Sequence, residues 1–126
     1  MKFSIIISTL NNEETIEKTL QSIKKQEFED YEIIVIDGGS SDRTLNLFNQ
    51  FNFPNIKFVK QKGQGVYNAF NEGISLSFGE IIIILNADDF FEKKQALSII
   101  SDQFNIYKDI KLLMTNVKIF TKKNKL

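Results

Sequence analysis

Apolar residues fall into two alternating patterns along the chain. Short continuous runs rich in isoleucine, valine and phenylalanine predict strands that are buried on both faces. The runs cover residues 3–8, 32–36, 56–60 and 81–85, with a weaker one inside 112–120. The runs at 3–8, 32–36 and 81–85 are the most continuous, so we expect them to form the centre of a sheet.

The segments between these runs carry apolar residues at spacings of three and four, as amphipathic helices do. The four predicted buried faces are Ile16, Leu20 and Ile23; Leu45, Phe48 and Phe51; Val66, Ala69, Phe70 and Ile74; and Ala96, Ile99 and Ile100. Asn11 with Glu14 resembles a capping box at the start of the first helix. Alternating strands and helices predict an α/β fold, with a mainly parallel sheet between two helical layers.

Composition limits the chemistry more than it limits the fold. The chain has 126 residues, 42% of them hydrophobic, and a formal net charge of zero. These values predict a single domain over 1–126 and give no basic surface for a nucleic-acid partner. The chain has no cysteine and no histidine. Catalysis by thiolate or histidine is thereby excluded, which leaves carboxylates, lysines, hydroxyls or a metal ion held by oxygen.

The hydrophobic runs also bear on location. The first run is too short for the core of a signal peptide, and no run approaches the length of a membrane span. We therefore expect a cytoplasmic protein, with peripheral association at the inner face of the membrane through regions outside this chain.

Polar residues follow the carboxyl end of each predicted strand, where ligands bind in open parallel sheets. The most unusual of these segments ends in two adjacent carboxylates, Asp88 and Asp89. Like charges repel, and a divalent cation bridging to a diphosphate would stabilise the pair; Mg²⁺ and Mn²⁺ both favour such ligands. The alternative is that one of the two caps a helix beginning near residues 90–94.

Four segments resemble a known family. SIIISTLNNEETIEKTLQSI, YEIIVIDGGSSDRT, GVYNAFNEGI and GEIIIILNADD follow one another in the order and spacing of the family 2 glycosyltransferases, which have the GT-A fold. The resemblance covers nearly all of residues 3–92 and is greatest to bacterial enzymes that build cell-surface polysaccharides. It implies that this chain is the N-terminal, donor-binding part of such a domain, with the acceptor-side elements missing.

The resemblance also implies roles for individual residues. A divalent Mn²⁺ or Mg²⁺ would be bound by Asp88 and Asp89. The donor nucleotide would be bound by Thr9, Asn11, Asp37, Gly38, Gln64, Tyr67, Asn71, Asn86 and Asp88. Two positions depart from the family pattern, because Gly38 replaces the second acid of an Asp-Asp-Gly-Ser segment and Asn86 replaces the first acid of Asp-x-Asp. For Tyr67, plain packing as a half-buried tyrosine is an equally good interpretation.

The implied reaction is inverting transfer of a sugar from a nucleoside diphosphate to a saccharide or lipid-linked acceptor. No catalytic base is assigned, since the only acids after Asp89 are Glu92, Asp102 and Asp109, all in segments typical of solvated surface. Two alternatives stay open: a non-catalytic nucleotide-sugar-binding or assembly module, and a sugar nucleotidyltransferase. The second would carry an early Gly-rich loop with a basic residue, which SIIISTLNNEE lacks.

The C-terminal part of the chain has apolar residues for which the family would supply cover. We expect them to favour self-association or binding of a partner. They are Phe104, Ile106, Leu112, Leu113 and Phe120.

Overall fold

Strands and helices alternate along the part of the chain that the structure, a computed structural model, describes: residues 1–115 and 118–119. The elements are β1 (Phe3–Thr9), α1 (Ile16–Lys24), β2 (Tyr31–Asp37), α2 (Thr44–Gln50), β3 (Ile56–Lys60), α3 (Val66–Ser75), β4 (Ile81–Ile84) and α4 (Ala96–Ile106). The predicted α/β alternation is confirmed, and each strand lies within two residues of its predicted bounds.

The four strands form one sheet in the order β3-β2-β1-β4, and all of its pairings are parallel. Ile81–Ile84 therefore lies at an edge of the sheet within the described residues, and our prediction that this run lies at the centre is wrong for that part. Ile82 and Ile84 are accordingly 39% and 42% exposed. The run is continuously apolar although only one of its sides is paired.

Helices cover both faces of the sheet, as the fold class predicts. On one face, α1, α2 and α4 pack against the sheet around Phe3, Ile5, Ile7, Ile33 and Val35, and the same cluster includes Ile81 of β4. On the other face, Ala69 of α3 packs against Ile34 and Ile36.

The buried face of α1 is the predicted one, since Ile16, Leu20 and Ile23 are all fully buried. Its predicted capping box is wrong. Asn11 as N-cap would start the helix at residue 12, but α1 begins at Ile16 after a turn in which the Asn12 carbonyl accepts hydrogen bonds from the Thr15 and Ile16 N–H groups.

The predicted faces of the other helices are partly wrong. In α3, Val66 and Ile74 are exposed, and the buried residues are Ala69 and Gly73. The cause is close packing: a Cβ at position 73 would lie 2.4 Å from Cγ2 of Ile6. Small residues let the helix approach the sheet, and a pattern search for large apolar residues misses them.

The buried face lies one position before the predicted one in α2, where Phe48 is nevertheless buried as predicted, and one position after it in α4. α2 buries Thr44, Leu47 and Phe48, whereas Leu45 and Phe51 are only partly covered. α4 buries Leu97 and Ser101, and Ile99 is 47% exposed.

The C-terminal predictions are tested only in part. Residues 112–115 and 118–119 of the weaker run form no strand, and residues 116, 117 and 120 lie outside the described part. Of the apolar residues expected to lack cover, Ile106 and Leu112 are 65% and 77% exposed. Leu113 is half-buried and Phe104 packs against the core; Phe120 lies outside the described residues. Self-association stays a prediction. Within residues 1–115 and 118–119, no helix has both the length and the hydropathy that a membrane crossing requires.

Candidate functional site

The predicted site residues follow the carboxyl ends of neighbouring parallel strands. Thr9 ends β1 and pairs with Asp37, which ends β2, and Asp37 pairs in turn with Lys60 at the end of β3. Asp88 follows β4, which lies beside β1 and runs parallel to it. All these residues therefore lie at one edge of the sheet.

A cleft of about 440 Å³ opens at this edge, between the loops that follow β1, β2 and β3. It is lined by Ser8, Thr9, Leu10, Asn12, Gly38, Gln61, Gly63, Gln64, Gly65 and Val66. Three of the predicted donor-binding residues, Thr9, Gly38 and Gln64, lie on its wall. The lining combines hydroxyl, amide and backbone groups with the side chains of Leu10 and Val66, and none of the described lining residues is a carboxylate.

Asp37 lies beneath this cleft and organises the loop after β2. Its side chain is 7% exposed and accepts hydrogen bonds from the Gly39 N–H at 3.1 Å, the Ser40 N–H at 3.0 Å and the Ser40 hydroxyl at 2.6 Å. Gly39 has a φ of +106°, a conformation that favours glycine. By binding Gly39 and Ser40, the Asp37 carboxylate fixes the loop that places Gly38 on the cleft wall.

Asn11 joins the loops after β1 and β2. Its backbone is left-handed, with a φ of 51°, which asparagine tolerates better than most residues. Its side-chain oxygen accepts hydrogen bonds from the N–H groups of Ser41 at 2.8 Å and Asp42 at 3.3 Å. Asn11 does not line the cleft, so its observed contacts are those of a residue that fixes the rim.

Asp42 is held in its charged form by the same pair of loops. Desolvation acts to raise its pKa, but hydrogen bonds from Thr44 and from the Glu13 N–H outweigh it and leave the pKa below the usual value. The Thr44 hydroxyl also accepts a hydrogen bond from the Asn12 N–H at 2.8 Å, which ties the start of α2 to the cleft wall.

Gln61 is a lining residue that the sequence reasoning missed. Its side-chain nitrogen donates to the Gly65 carbonyl at 2.9 Å and to Oδ1 of Asn68 at 3.1 Å. Because both donors are used, the orientation of the amide is set, and its oxygen lies 3.6 Å from where a Cβ at Gly38 would be. Its position directly after β3 is the signal that could have found it.

The two predicted residues of α3 do not line the cleft. Tyr67 is 81% exposed and meets Phe70 edge to face, with 6.5 Å between ring centroids. The interpretation of Tyr67 as a half-buried packing residue is therefore wrong. Asn71, one turn further along α3, is also exposed.

The acidic loop after β4 presents its side chains to solvent. Asn86, Asp88 and Asp89 are exposed, while Ala87 between them is 3% exposed. In the described part of the chain, neither carboxylate accepts a hydrogen bond. Helix α4 begins only at Ala96, so the alternative that Asp88 or Asp89 caps a helix beginning near residues 90–94 is wrong.

The ligand set of this loop fits a hard divalent cation that takes further ligands from phosphate and water. Two carboxylates and the side-chain oxygen of Asn86 are ligands that Mg²⁺ and Mn²⁺ accept. They are too few for a cage made only by protein, and among the described residues no group of three or more acidic, histidine or cysteine side chains could hold a metal.

The family is shown by sequence comparison. Residues 4–115 match the model of glycosyl transferase family 2, and the chain belongs to that family. This confirms the resemblance that the four sequence segments indicate, and it places the chain among transferases.

Curated relatives of the chain are glycosyltransferases. One is the PGL/p-HBAD biosynthesis glycosyltransferase of Mycobacterium tuberculosis, 39% identical over 100 residues, which cover 76% of this chain and 39% of the relative. Another is a dolichyl N-acetyl-α-D-glucosaminyl phosphate 3-β-D-2,3-diacetamido-2,3-dideoxy-β-D-glucuronosyltransferase of Methanococcus voltae, 41% identical over 97 residues, 71% of this chain and 30% of the relative. The chain thus spans under half the length of these proteins.

Solved structures share the fold. TarS of S. aureus, residues 1–349 in complex with UDP-GlcNAc, has a TM-score of 0.75 and is 29% identical, over 86% of this chain and 32% of that one. The mannosyltransferase PcManGT of Pyrobaculum calidifontis, in complex with GDP-Man and Mn²⁺, has a TM-score of 0.74 at 24% identity, over 82% of this chain and 32% of that one. Both agree with an α/β fold of GT-A type.

Proposed function

We propose that this chain binds the donor of a glycosyltransferase, which moves a sugar from a nucleoside diphosphate to a saccharide or lipid-linked acceptor in cell-surface polysaccharide synthesis. One observation carries the proposal: a cleft that offers hydroxyl, amide and apolar groups lies at the same edge of the parallel sheet as an acidic loop, and the acidic side chains have no partner among the described residues. In open α/β sheets, this edge is where ligands bind.

The residues divide into two groups in this proposal. Thr9, Gly38 and Gln64 contact the nucleoside in the cleft, while Asn11 and Asp37 hold the loops that shape its wall. Asn86 and Asp88 face the diphosphate; Tyr67 and Asn71 border the sugar side. The position of the first seven residues in the cleft wall, at the end of β2 or in the loops after β1, β2, β3 and β4 supports this set. The roles of Tyr67 and Asn71 rest on the family resemblance.

Asp88 and Asp89 hold Mn²⁺ or Mg²⁺ in this proposal. When bound, the cation supplies positive charge to the departing nucleoside diphosphate. The need for it is electrostatic, since two carboxylates would otherwise face a dianionic group. The complexes of TarS with UDP-GlcNAc and of PcManGT with GDP-Man and Mn²⁺ support a nucleotide-sugar donor.

Transfer proceeds with inversion in this proposal, at the cytoplasmic face of the membrane. The lipid-linked acceptor is supported by the name of the Methanococcus voltae relative, whose acceptor is a dolichyl phosphate sugar. Family membership favours glycosyl over nucleotidyl transfer. In this proposal the described residues contribute to donor binding, and none of them is assigned as the base.

A second candidate, nucleotide-sugar binding without transfer, is favoured by one observation. Among the residues that the structure describes, the cleft lining contains no carboxylate that could serve as a general base. Glu92, the first acid after Asp89, is exposed and forms an ion pair with Lys118 at 2.5 Å.

Incubation with nucleotide sugars and short saccharide or lipid-linked acceptors separates the two candidates. Transfer by the wild-type chain, and its loss in Asp88→Asn, would support the enzyme. Manganese-dependent binding of a nucleotide sugar without transfer would support the binding module. Absence of both would contradict the donor site itself.

A further inference from the structure

One face of α1 is polar although it is buried. Thr19, Ser22 and Gln26 are 0%, 7% and 8% exposed. Thr19 and Ser22, three residues apart, lie on one side of α1. Gln26 follows two residues after the end of α1 at Lys24, and Thr15 precedes Thr19 by one turn. Burying polar side chains costs free energy unless each finds a hydrogen-bond partner, so this face must meet polar groups.

The partners of this face are backbone groups of the segment between β4 and α4. At its far end, Gln26 donates to the Lys93 carbonyl at 2.8 Å and accepts from the Leu97 N–H at 3.0 Å. In the middle, the Ser22 hydroxyl accepts from the Phe91 N–H at 3.0 Å. The helix therefore holds the segment at several successive points.

The first two contacts hold the carbonyls that bracket the acidic pair, that of Ala87 just before Asp88 and that of Asp89 itself. The Thr15 hydroxyl donates to the Ala87 carbonyl at 3.0 Å. The Thr19 hydroxyl lies 2.6 Å from the Asp89 carbonyl and 3.2 Å from the Ala87 carbonyl. A hydroxyl has one proton, so the closer Asp89 carbonyl receives it and Thr15 serves Ala87.

The acidic side chains themselves are not held in this way. In the described part of the chain the carboxylates of Asp88 and Asp89 accept no hydrogen bond, so their direction is set by the backbone from which they project. Fixing that backbone limits the directions in which the two carboxylates can point. All of their oxygens stay available to a ligand. Groups that orient metal ligands in this manner affect metal affinity without touching the metal.

We propose that Thr19 is a positioning residue for the acidic loop: its buried hydroxyl fixes the Asp89 carbonyl, at the end of the acidic pair, and so directs Asp88 and Asp89 toward a shared divalent cation. Thr15 assists from the solvent side. This inference rests on the proposed function, because it presumes that the two carboxylates bind metal and nucleotide together.

The test measures the affinity of UDP, GDP and thymidine diphosphate by calorimetry, with Mn²⁺ and with chelator, and titrates Mn²⁺ by electron paramagnetic resonance at saturating nucleotide. Thr19→Val removes the hydroxyl at nearly constant shape, and Thr19→Ser keeps it. Thr15→Ala is a second variant at an exposed position, where folding is little affected. Ile23→Val, on the apolar face of α1, is the control for a loss of stability alone.

We expect Thr19→Val to weaken manganese-dependent nucleotide binding by about tenfold, the lower end for loss of a group that orients a metal ligand. Thr15→Ala should weaken it less, Thr19→Ser should restore it, and Ile23→Val should leave it unchanged. Binding in chelator should be the same in all. If Thr19→Val fails to fold, a weakening in Thr15→Ala carries the same conclusion.

Failure of the proposed function and failure of the positioning role of Thr19 give different results. Equal affinity in manganese and chelator for the wild-type chain would overturn the proposed function before any variant is compared. Manganese-dependent binding in the wild type that Thr19→Val and Thr15→Ala retain, or that Ile23→Val loses to the same extent, would overturn the positioning role alone.

Discussion

Replacing Gly79 by alanine should destabilise the fold far more than the same change at Gly63, although both positions are crowded. A Cβ at Gly79 would lie 2.4 Å from the Ser4 nitrogen and 2.5 Å from the Phe3 carbonyl carbon. A Cβ at Gly63 would lie 2.3 Å from Oδ1 of Asn68. The obstacle at Gly79 is the backbone of β1, whereas at Gly63 it is the end of a side chain that can rotate.

The loss of stability expected in Gly79→Ala depends on which groups must move to make room for the new Cβ. Reaching ordinary contact requires a shift of about 1 Å in the turn before β4. That turn is held by the Phe78 N–H on Glu32 at 2.7 Å and by the Gly79 N–H on Oγ of Ser4 at 2.7 Å. Losing a hydrogen bond to a charged group costs about 1.5–3 kcal/mol and a neutral one about 0.5–1.5 kcal/mol.

Alanine has less conformational freedom than glycine in the unfolded chain, and this offsets about 0.4–1 kcal/mol of the loss. We therefore expect Gly79→Ala to lower the free energy of unfolding by about 1–4 kcal/mol. Gly63→Ala should lower it by about 1 kcal/mol or less, because rotation of Asn68 gives up only the neutral hydrogen bond from Gln61. Urea denaturation of both variants, followed by circular dichroism, gives the two values. Equal destabilisation, or a smaller loss at Gly79 than at Gly63, would refute the reasoning.

Further predictions concern charge and exposure. The pKa of Asp42 is lower in the folded chain than the usual 3.8. The ionised carboxylate therefore stabilises the fold fully at pH values above 3.8, and this stabilisation is lost as the pH falls through the pKa of the folded state. The melting temperature of wild type should thus exceed that of Asp42→Asn at neutral pH, with a gap that closes below about pH 4; a constant gap would contradict this. Tyr67 is 81% exposed, so Tyr67→Ala should change stability by less than about 0.5 kcal/mol and weaken donor binding; a large fall in melting temperature would contradict its exposed position.

The sequence predicts strands better than it predicts what helices bury. Runs of β-branched residues made the four strands readable, and β1 and β2 are buried on both faces as such runs predict. In β4 the same kind of run leaves Ile82 and Ile84 exposed at the sheet edge. The predicted buried faces of the helices were wrong where close packing, rather than hydrophobicity, decides which residues are buried. Gly73 is buried because Ile6 needs the space, and a hydrophobic pattern gives glycine no weight.

At the site, too, the sequence predicts the positions that follow strands better than it predicts the contacts made by helices and loops. That Thr9, Asp37 and Asp88 lie at one edge follows from parallel strands alone. The polar residues of α1 could not be assigned to the acidic loop, because Thr19 and Gln26 look like solvent-facing positions until the segment after β4 is folded against them. Gln61 was missed because its role depends on contacts with Gly65 and Asn68 that sequence spacing does not define.

The most direct test of the donor-site account is calorimetry of nucleoside diphosphate binding to the wild-type chain and to Asp88→Asn and Asp89→Asn, in manganese and in chelator. The account predicts much tighter binding in manganese for wild type, loss of that difference in both variants, and unchanged or slightly raised melting temperatures, since each substitution relieves repulsion between exposed like charges. Equal affinity of the wild type in manganese and in chelator would contradict it, as would a large fall in melting temperature in both variants.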